Sequence, residues 1–298
     1  MTDRAFPSPN SDEVIGALER TGYLLEQRVA SQVRSLGFSV TTGRAFEDPD
    51  EGKSREVDVY AIKRAWGDPS KDIQVLIQLV IECKRSTGPY VVLGRKPNGR
   101  DRSHQPHSHT MPISSVTWHD TQADHPRTIR VIPTWNWLGL HTLPSSPNLD
   151  SRKGVQLVRL NLQQNKWQTD NSSIFESTTV PLMKAVESFR PPRDTAEPPS
   201  YAVLNLCFPV LVTSGELFYV DGEEVAPIAE QVEWVSLERD IKMRSMTGLF
   251  NMDVVTYAAL DLYLTNRVLA FSEAVAEEVA RDPDRLKQGQ LDAPPADL

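Results

Sequence analysis

The chain has 298 residues, a formal net charge of −8 and 39% hydrophobic residues, enough for one elaborated domain or two small ones. It has no run of about 18 apolar residues, so no membrane helix is expected, and its first ten residues lack the apolar stretch of a secretory leader. Two cysteines, Cys83 and Cys207, exclude a disulfide scaffold and a four-cysteine zinc site, which leaves a soluble, reducing, cytoplasmic setting as the expectation.

The charge is uneven. Residues 1–79 carry 10 Lys/Arg against 13 Asp/Glu, residues 80–160 carry 11 against 5, and residues 161–298 carry 11 against 22. The middle segment, at net +6, also holds all six histidines. Such a stretch marks either a polyanion-binding face or a solvated loop.

In chain order, residues 1–11 read as a flexible start. Asn10 and Glu13 have capping-box spacing. A long helix is expected from Asp12 to Leu36, with Leu18, Leu25, Val29, Val33 and Leu36 as its buried stripe and Gly37 as its stop. Phe38 to Phe46 reads as a strand, as does Arg55 to Lys63, with a polar turn between them. Ile73 to Cys83 is apolar on both faces, as a central strand would be. Residues 88–154 resist a regular reading, and Val155 to Leu160 reads as a short strand. A helix over Val180 to Phe189 follows, and then a stiff connector over 191–199. Tyr201 to Thr213 is an apolar strand in which Pro209 suggests a bend or an end. Leu217 to Val220 and Val232 to Ser236 read as further strands, and Asp253 to Ala280 as a long C-terminal helix. Residues 281–298 read as a disordered tail. The expected organisation is one domain over 12–280 with an insertion at about 88–175.

Polar residues interrupt two of the apolar strands. Asp58 sits inside EVDVY. Glu82 and Lys84, two apart in IECK, share one face of the central strand's end. If the strands are neighbours, Asp58 converges on them. Half-buried carboxylates are costly unless they are paired or bind a metal. Two of them beside a lysine suit a hard cation such as Mg²⁺, with the Cys83 carbonyl as a further oxygen ligand. That chemistry serves phosphodiester hydrolysis, in which a metal-bound water attacks and a lysine stabilises charge. The plainer alternatives are an edge carboxylate at Asp58 paired with Arg55 or Lys63, and a surface pair of Glu82 with Lys84.

Asp58 followed by Glu82-Cys83-Lys84 resembles the PD-(D/E)XK nuclease superfamily. Val57 stands where that motif often has proline. The family often places a Glu in the preceding helix, and Glu26 fits that place, although pairing with Arg28 or Arg34 is the alternative. The resemblance implies a restriction-endonuclease-like α/β (α+β) fold, a mixed central sheet flanked by helices with an αβββαβ core. It implies catalytic roles for Glu26, Asp58, Glu82 and Lys84, and metal ligation of Mg²⁺ or Mn²⁺ by Asp58, Glu82 and Cys83. The expected activity is cleavage of nucleic acid, DNA before RNA, in restriction, repair or defence against foreign DNA. A non-catalytic member that binds nucleic acid or protein is the alternative.

Arg85, Lys96, Arg100 and Arg102 are the expected phosphate contacts. Glu56 shares a face with Asp58 and is a second choice for the metal side. His104, His107 and His109 have a zinc-like spacing without a further ligand. Trp135 and Trp137 read as core residues of a strand before base-stacking ones. The apolar C-terminal helix offers either a core face or a homodimer surface, and no membrane partner is expected.

Overall fold

The computed structural model describes residues 8–119, 129–170, 174–190 and 201–291. Its first helix, α1 (Ser11–Thr21), starts with the expected capping box: the Asn10 side chain accepts from the Glu13 amide at 3.0 Å, and Glu13 Oε2 accepts from the Asn10 amide at 2.8 Å. The single helix expected over 12–36 is not formed. Gly22 stands at φ 91° and separates α1 from α2 (Tyr23–Ser35). A left-handed residue costs an L side chain about 1–2 kcal/mol and glycine almost nothing, so the break falls there. Only α2 enters the core, through Leu25, Val29, Ala30 and Val33. Leu18, on α1, stays half-exposed.

The strands follow as β1 (Ser39–Glu47), β2 (Ser54–Asp68), β3 (Ile73–Lys84), β4 (Tyr90–Arg95), β5 (Ser115–His119) and β6 (Ile129–Pro133). Next come α3 (Thr134–Trp137), β7 (Lys153–Gln163), β8 (Lys166–Asp170) and α4 (Val180–Phe189). The chain then forms β9 (Ala202–Thr213), β10 (Leu217–Asp221), β11 (Ala229–Gln231), β12 (Trp234–Lys242) and β13 (Thr247–Thr256). It closes with α5 (Leu260–Tyr263), a π-helical stretch over Leu264–Leu269, α6 (Ala270–Arg281) and β14 (Gln290–Leu291).

The protein is mixed α/β with one large mixed sheet in the order β1-β2-β3-β9-β13-β12-β7-β4-β10-β11, to which β8 is added beside β7. β1, β2 and β3 are antiparallel neighbours, and β9 runs parallel to β3 from Ile73–Ala202 to Lys84–Thr213. A crossover carries the chain between these two parallel strands, and α4 lies on it, as the helix expected over 180–189. A separate three-stranded sheet has the order β14-β5-β6.

The large sheet curls. Val57 of β2 and Val80 of β3 share a core with Tyr90 and Val92 of β4, Leu157 of β7 and Tyr219 of β10. Strands far apart in the sheet order therefore line one shared core, which α4 helps to fill. β3 and β9 turn a corner into β4 and β10, and Tyr90 N donates to the Glu216 carbonyl at 2.9 Å there. A Cβ on Gly88 would stand 1.9 Å from the Leu160 carbonyl oxygen, so the corner admits only glycine. The outer face of β3 packs on α2 and on the C-terminal helices, through Leu79, Ile81, Leu264, Val268 and Phe271.

Several expectations are corrected. Pro209 does not end β9: β13 joins that strand only from Val210, so the missing N–H is tolerated. Asp253 to Thr256 belongs to β13, because β12 pairs along it and outweighs helix propensity. Residues 282–291 are packed, with Leu286 buried and Lys71 Nζ on Asp284 at 2.6 Å. Residues 88–175 hold β4 and β7, integral strands of the large sheet. TWNW is a short helix with Trp135 in the core. The connector over 191–199, residues 1–7 and residues 292–298 lie outside the described residues.

α4 is tied to the loop after β1 by charge. Lys184 Nζ lies 2.8 Å from Asp48 Oδ1 and 3.0 Å from Asp50 Oδ2, and Arg55 Nε lies 2.6 Å from Asp48 Oδ2. Burial alone would raise the Asp48 pKa, but the Lys184 hydrogen bond and two backbone amides hold it at about 2. Lys184→Met should lower stability at neutral pH by roughly 2 kcal/mol, because it leaves the buried Asp48 carboxylate with only Arg55 and two backbone amides. A depressed folded pKa stabilises above the unfolded value and loses that effect as pH falls through the folded one. Urea unfolding should therefore show the wild-type advantage shrinking from about pH 4 towards about pH 2. An advantage constant over that range would refute the charge argument.

Candidate active site

The β2–β3 ladder ends at the Val59–Ile81 pair. Asp58 is the next residue on β2, and its Oδ2 accepts the Cys83 amide at 2.7 Å. A side-chain oxygen thus replaces the missing strand carbonyl. The N–H and C=O of one strand residue point to the same side, so the Cys83 carbonyl also opens towards Asp58.

Glu82 and Lys84 sit beside it on β3. Lys84 Nζ donates to Glu82 Oε1 at 2.5 Å, with the two side chains 33% and 13% exposed. Glu26 is in the first turn of α2 and half-buried. A Cβ on Gly22 would come within 4.0 Å of Arg85 Cβ, so the helix break brings the start of α2 to the end of β3. The four expected catalytic residues therefore meet at one strand end.

Their charges are coupled. Burial, then the Asp58 charge, raises the pKa of both Glu82 and Glu26. Burial raises Asp58 as well, against the pull of the Cys83 amide and Lys84. Burial works against the Lys84 ammonium, but the charge and hydrogen bond of Glu82 outweigh it and raise its pKa. Lys84 is therefore a cation at neutral pH, suited to holding negative charge and unsuited to taking a proton. Burial pushes the Cys83 thiol well up, which leaves it inert.

Three carboxylates against one ammonium leave negative charge uncompensated. The donor set fits a hard divalent cation held by Asp58, Glu82 and the Cys83 carbonyl. Among the described residues no three His, Cys, Asp or Glu side chains form a ready metal cluster. Mg²⁺ does not require one, since it commonly takes one or two carboxylates and fills its shell with water.

The plainer partners are engaged elsewhere. Arg55 is on Asp48, Lys63 Nζ donates to the Leu36 carbonyl at 2.8 Å, and Arg28 is on Glu19 at 3.3 Å. The Glu82–Lys84 pair is real, but it is recessed in the site. Glu56 is exposed and acts on Asp58 only as a nearby charge.

The expected phosphate contacts divide. Arg85 is exposed beside the site. Lys96, Arg100 and Arg102 follow the far end of β4, about 17 Å along the strand from Tyr90. Lys96 is paired with Glu224 at 3.0 Å, in a groove of about 410 Å³ that also holds Arg152, Asp221 and Glu230. Arg102 donates to the Asn148 carbonyl at 3.1 Å, and Arg100 is exposed. The structure does not bring these three to Asp58.

The histidines do not converge either. His107 Nε2 is 2.5 Å from Glu187 Oε1. His109 is enclosed by Trp135, Phe208 and Phe271, and burial lowers its pKa to about 3. His104 is exposed. His109 also lines a cavity near Arg267 and Asp253 whose roughly 30 Å³ open to water centres suits about two waters and no nucleotide.

The sequence reading omitted Tyr90, whose neutral phenol, its pKa raised by burial, lies near enough to Lys84 for the two ionisations to influence each other. The glycine and proline of RSTGPY, directly after Lys84, are the signal that the chain doubles over the site there.

A carboxylate whose pKa is raised by folding destabilises the fold once pH exceeds its unfolded value. Asp58→Asn, which keeps an acceptor for the Cys83 amide, should melt a few degrees above wild type at pH 7 in EDTA. That gap should vanish below about pH 4. Mg²⁺ should raise the wild-type melting temperature and leave the variant unmoved. A wild type indifferent to Mg²⁺ would remove the cation site.

No family model matches the chain, and no curated protein or solved structure matches it.

Proposed function

We propose that this chain is a metal-dependent nuclease of the PD-(D/E)XK type, hydrolysing phosphodiester bonds of nucleic acid, DNA foremost, with Mg²⁺ or Mn²⁺. The observation that carries the proposal is the meeting of Asp58, Glu82 and Lys84 with Glu26 where β2 parts from β3. The order α2-β1-β2-β3-α4-β9, with β9 parallel to β3, supports the restriction-endonuclease-like reading.

A bound divalent cation supplies an acidified water and charge neutralisation at the phosphate. Asp58, Glu82 and the Cys83 carbonyl would hold that cation. Lys84 releases Glu82 and turns its ammonium to the charge that develops on the phosphate. Glu26 orients solvent at the same point. Asp58 cannot swing away without breaking its bond to the Cys83 amide, so the carboxylates keep their spacing.

The second reading is a binding module without catalysis. It is favoured by the engagement of Asp58 with Cys83 and of Glu82 with Lys84, which leaves no ready three-carboxylate cluster.

Cleavage of plasmid, linear duplex, single-stranded DNA and RNA, with Mg²⁺, Mn²⁺ or EDTA, separates the two. Asp58→Ala and Lys84→Ala should each lower metal-dependent cutting by about 10²–10³-fold or more. No cutting of any polymer, with binding unchanged in both variants, would establish the module.

A further inference from the structure

The inner face of the curled sheet continues beyond Lys84. Tyr90 opens β4 directly opposite Arg159 of β7, and Arg159 stands opposite Asp170 of β8. Cross-strand partners share a face, about 5 Å apart. Tyr90 and Leu157 lie inside the curl with Val80 of β3, and Val80, Glu82 and Lys84 alternate onto one face of that strand. Glu82 and Lys84 therefore look from one layer towards Tyr90, Arg159 and Asp170 on the other. The Tyr90 phenol is near enough to feel both the Arg159 and the Lys84 charge.

Arg159 is held in place and left unsaturated. Its Nη2 donates to Asp170 Oδ2 at 2.6 Å, and the same oxygen accepts from Asn161 Nδ2 at 3.0 Å. Its Nε is buried without a hydrogen-bond partner, while the side chain as a whole is 34% exposed. A preorganised, partly open guanidinium fork is a receptor for phosphate.

We propose that Arg159 binds a backbone phosphate of a nucleic-acid strand, next to the phosphate held at Asp58 and Glu82, with the Tyr90 hydroxyl donating to it. The proposal rests on the nuclease reading and narrows it. The substrate is a strand with at least two successive phosphates, gripped from both layers of the sheet. A lone phosphodiester would fill only the Lys84 side.

The test is anisotropy of a labelled single-stranded DNA of about 12 nucleotides, in EDTA, across a series of salt concentrations. Arg159→Gln should weaken binding about tenfold. It should also reduce the slope of log affinity against log salt by about 0.7, the loss of one phosphate contact. Arg159→Lys should restore the slope without the full affinity, because an ammonium lacks the fork. Should Arg159→Gln lose its cooperative thermal transition, Tyr90→Phe, which keeps the buried ring, carries the comparison with a smaller loss. Equal affinity and slope in wild type and variant, or no binding by wild type, would overturn the proposal. Adding Mg²⁺ to the same wild-type complex tests the nuclease reading separately. Arg159-dependent binding without cleavage keeps the phosphate subsite and removes the nuclease.

Discussion

The bond from the Cys83 amide to Asp58 Oδ2 is the contact on which the site depends. β3 is buried along most of its length, and a buried amide without an acceptor is costly. β2 leaves the ladder just before that amide, so a carboxylate must serve in place of a carbonyl. This fixes Asp58 against the main chain beside Glu82 and frees the Cys83 carbonyl to face the same space. Gly22 and Gly88 then close the geometry, one by turning α2 in towards the strand end, the other by letting β3 double back into β4. Backbone hydrogen bonding thus determines where the charges sit.

What was legible in the sequence follows from this. The α2 stripe, the meander of β1 to β3, α4 and β9 are local patterns of apolar residues, and they stand within a residue or a few of where periodicity places them. Asp58, Glu82 and Lys84 were legible because polar residues inside apolar strands are conspicuous, and Glu26 only through the family resemblance. The curl was not, since it arises from strands remote in the chain that share one core, as Val57 of β2 and Leu157 of β7 do. Arg159 looked like any polar residue of an alternating strand. Asp253 looked helical because its neighbours alternate weakly, and only β12 beside it decides the matter. Gly22 sat in a stripe that continued on both sides, and one residue's backbone conformation outweighed the pattern.

The basic middle segment shows why charge counted along a sequence misleads. Much of its excess is paired within the protein, partly at the surface: Arg95 on Asp101, Lys96 on Glu224, Arg152 on Glu230, Lys153 on Glu238 and Arg159 on Asp170. Several of these partners come from the acidic C-terminal half, so opposite charges distant in sequence stitch the two layers together. Little of the segment's net +6 is left as a free polyanion surface. Any grip on a phosphate chain by an acidic protein must then come from a few placed cations and not from a general field.

That restriction bears on the choice between nuclease and binding module. A domain kept only for binding phosphate would gain nothing from three carboxylates gathered at one strand end, their pKa values raised by burial and, for Glu82 and Glu26, by the charge of Asp58. Each repels a phosphate and each disfavours the folded state at neutral pH. One divalent cation reverses both effects, since it relieves the repulsion between Asp58, Glu82 and Glu26 and turns the site attractive to phosphate. Lys84, kept charged by Glu82, cannot do this alone, because its charge is already shared with that carboxylate. A site whose carboxylates a cation would turn from repelling a phosphate to attracting it suits chemistry at that cation, and this is why the catalytic reading is preferred.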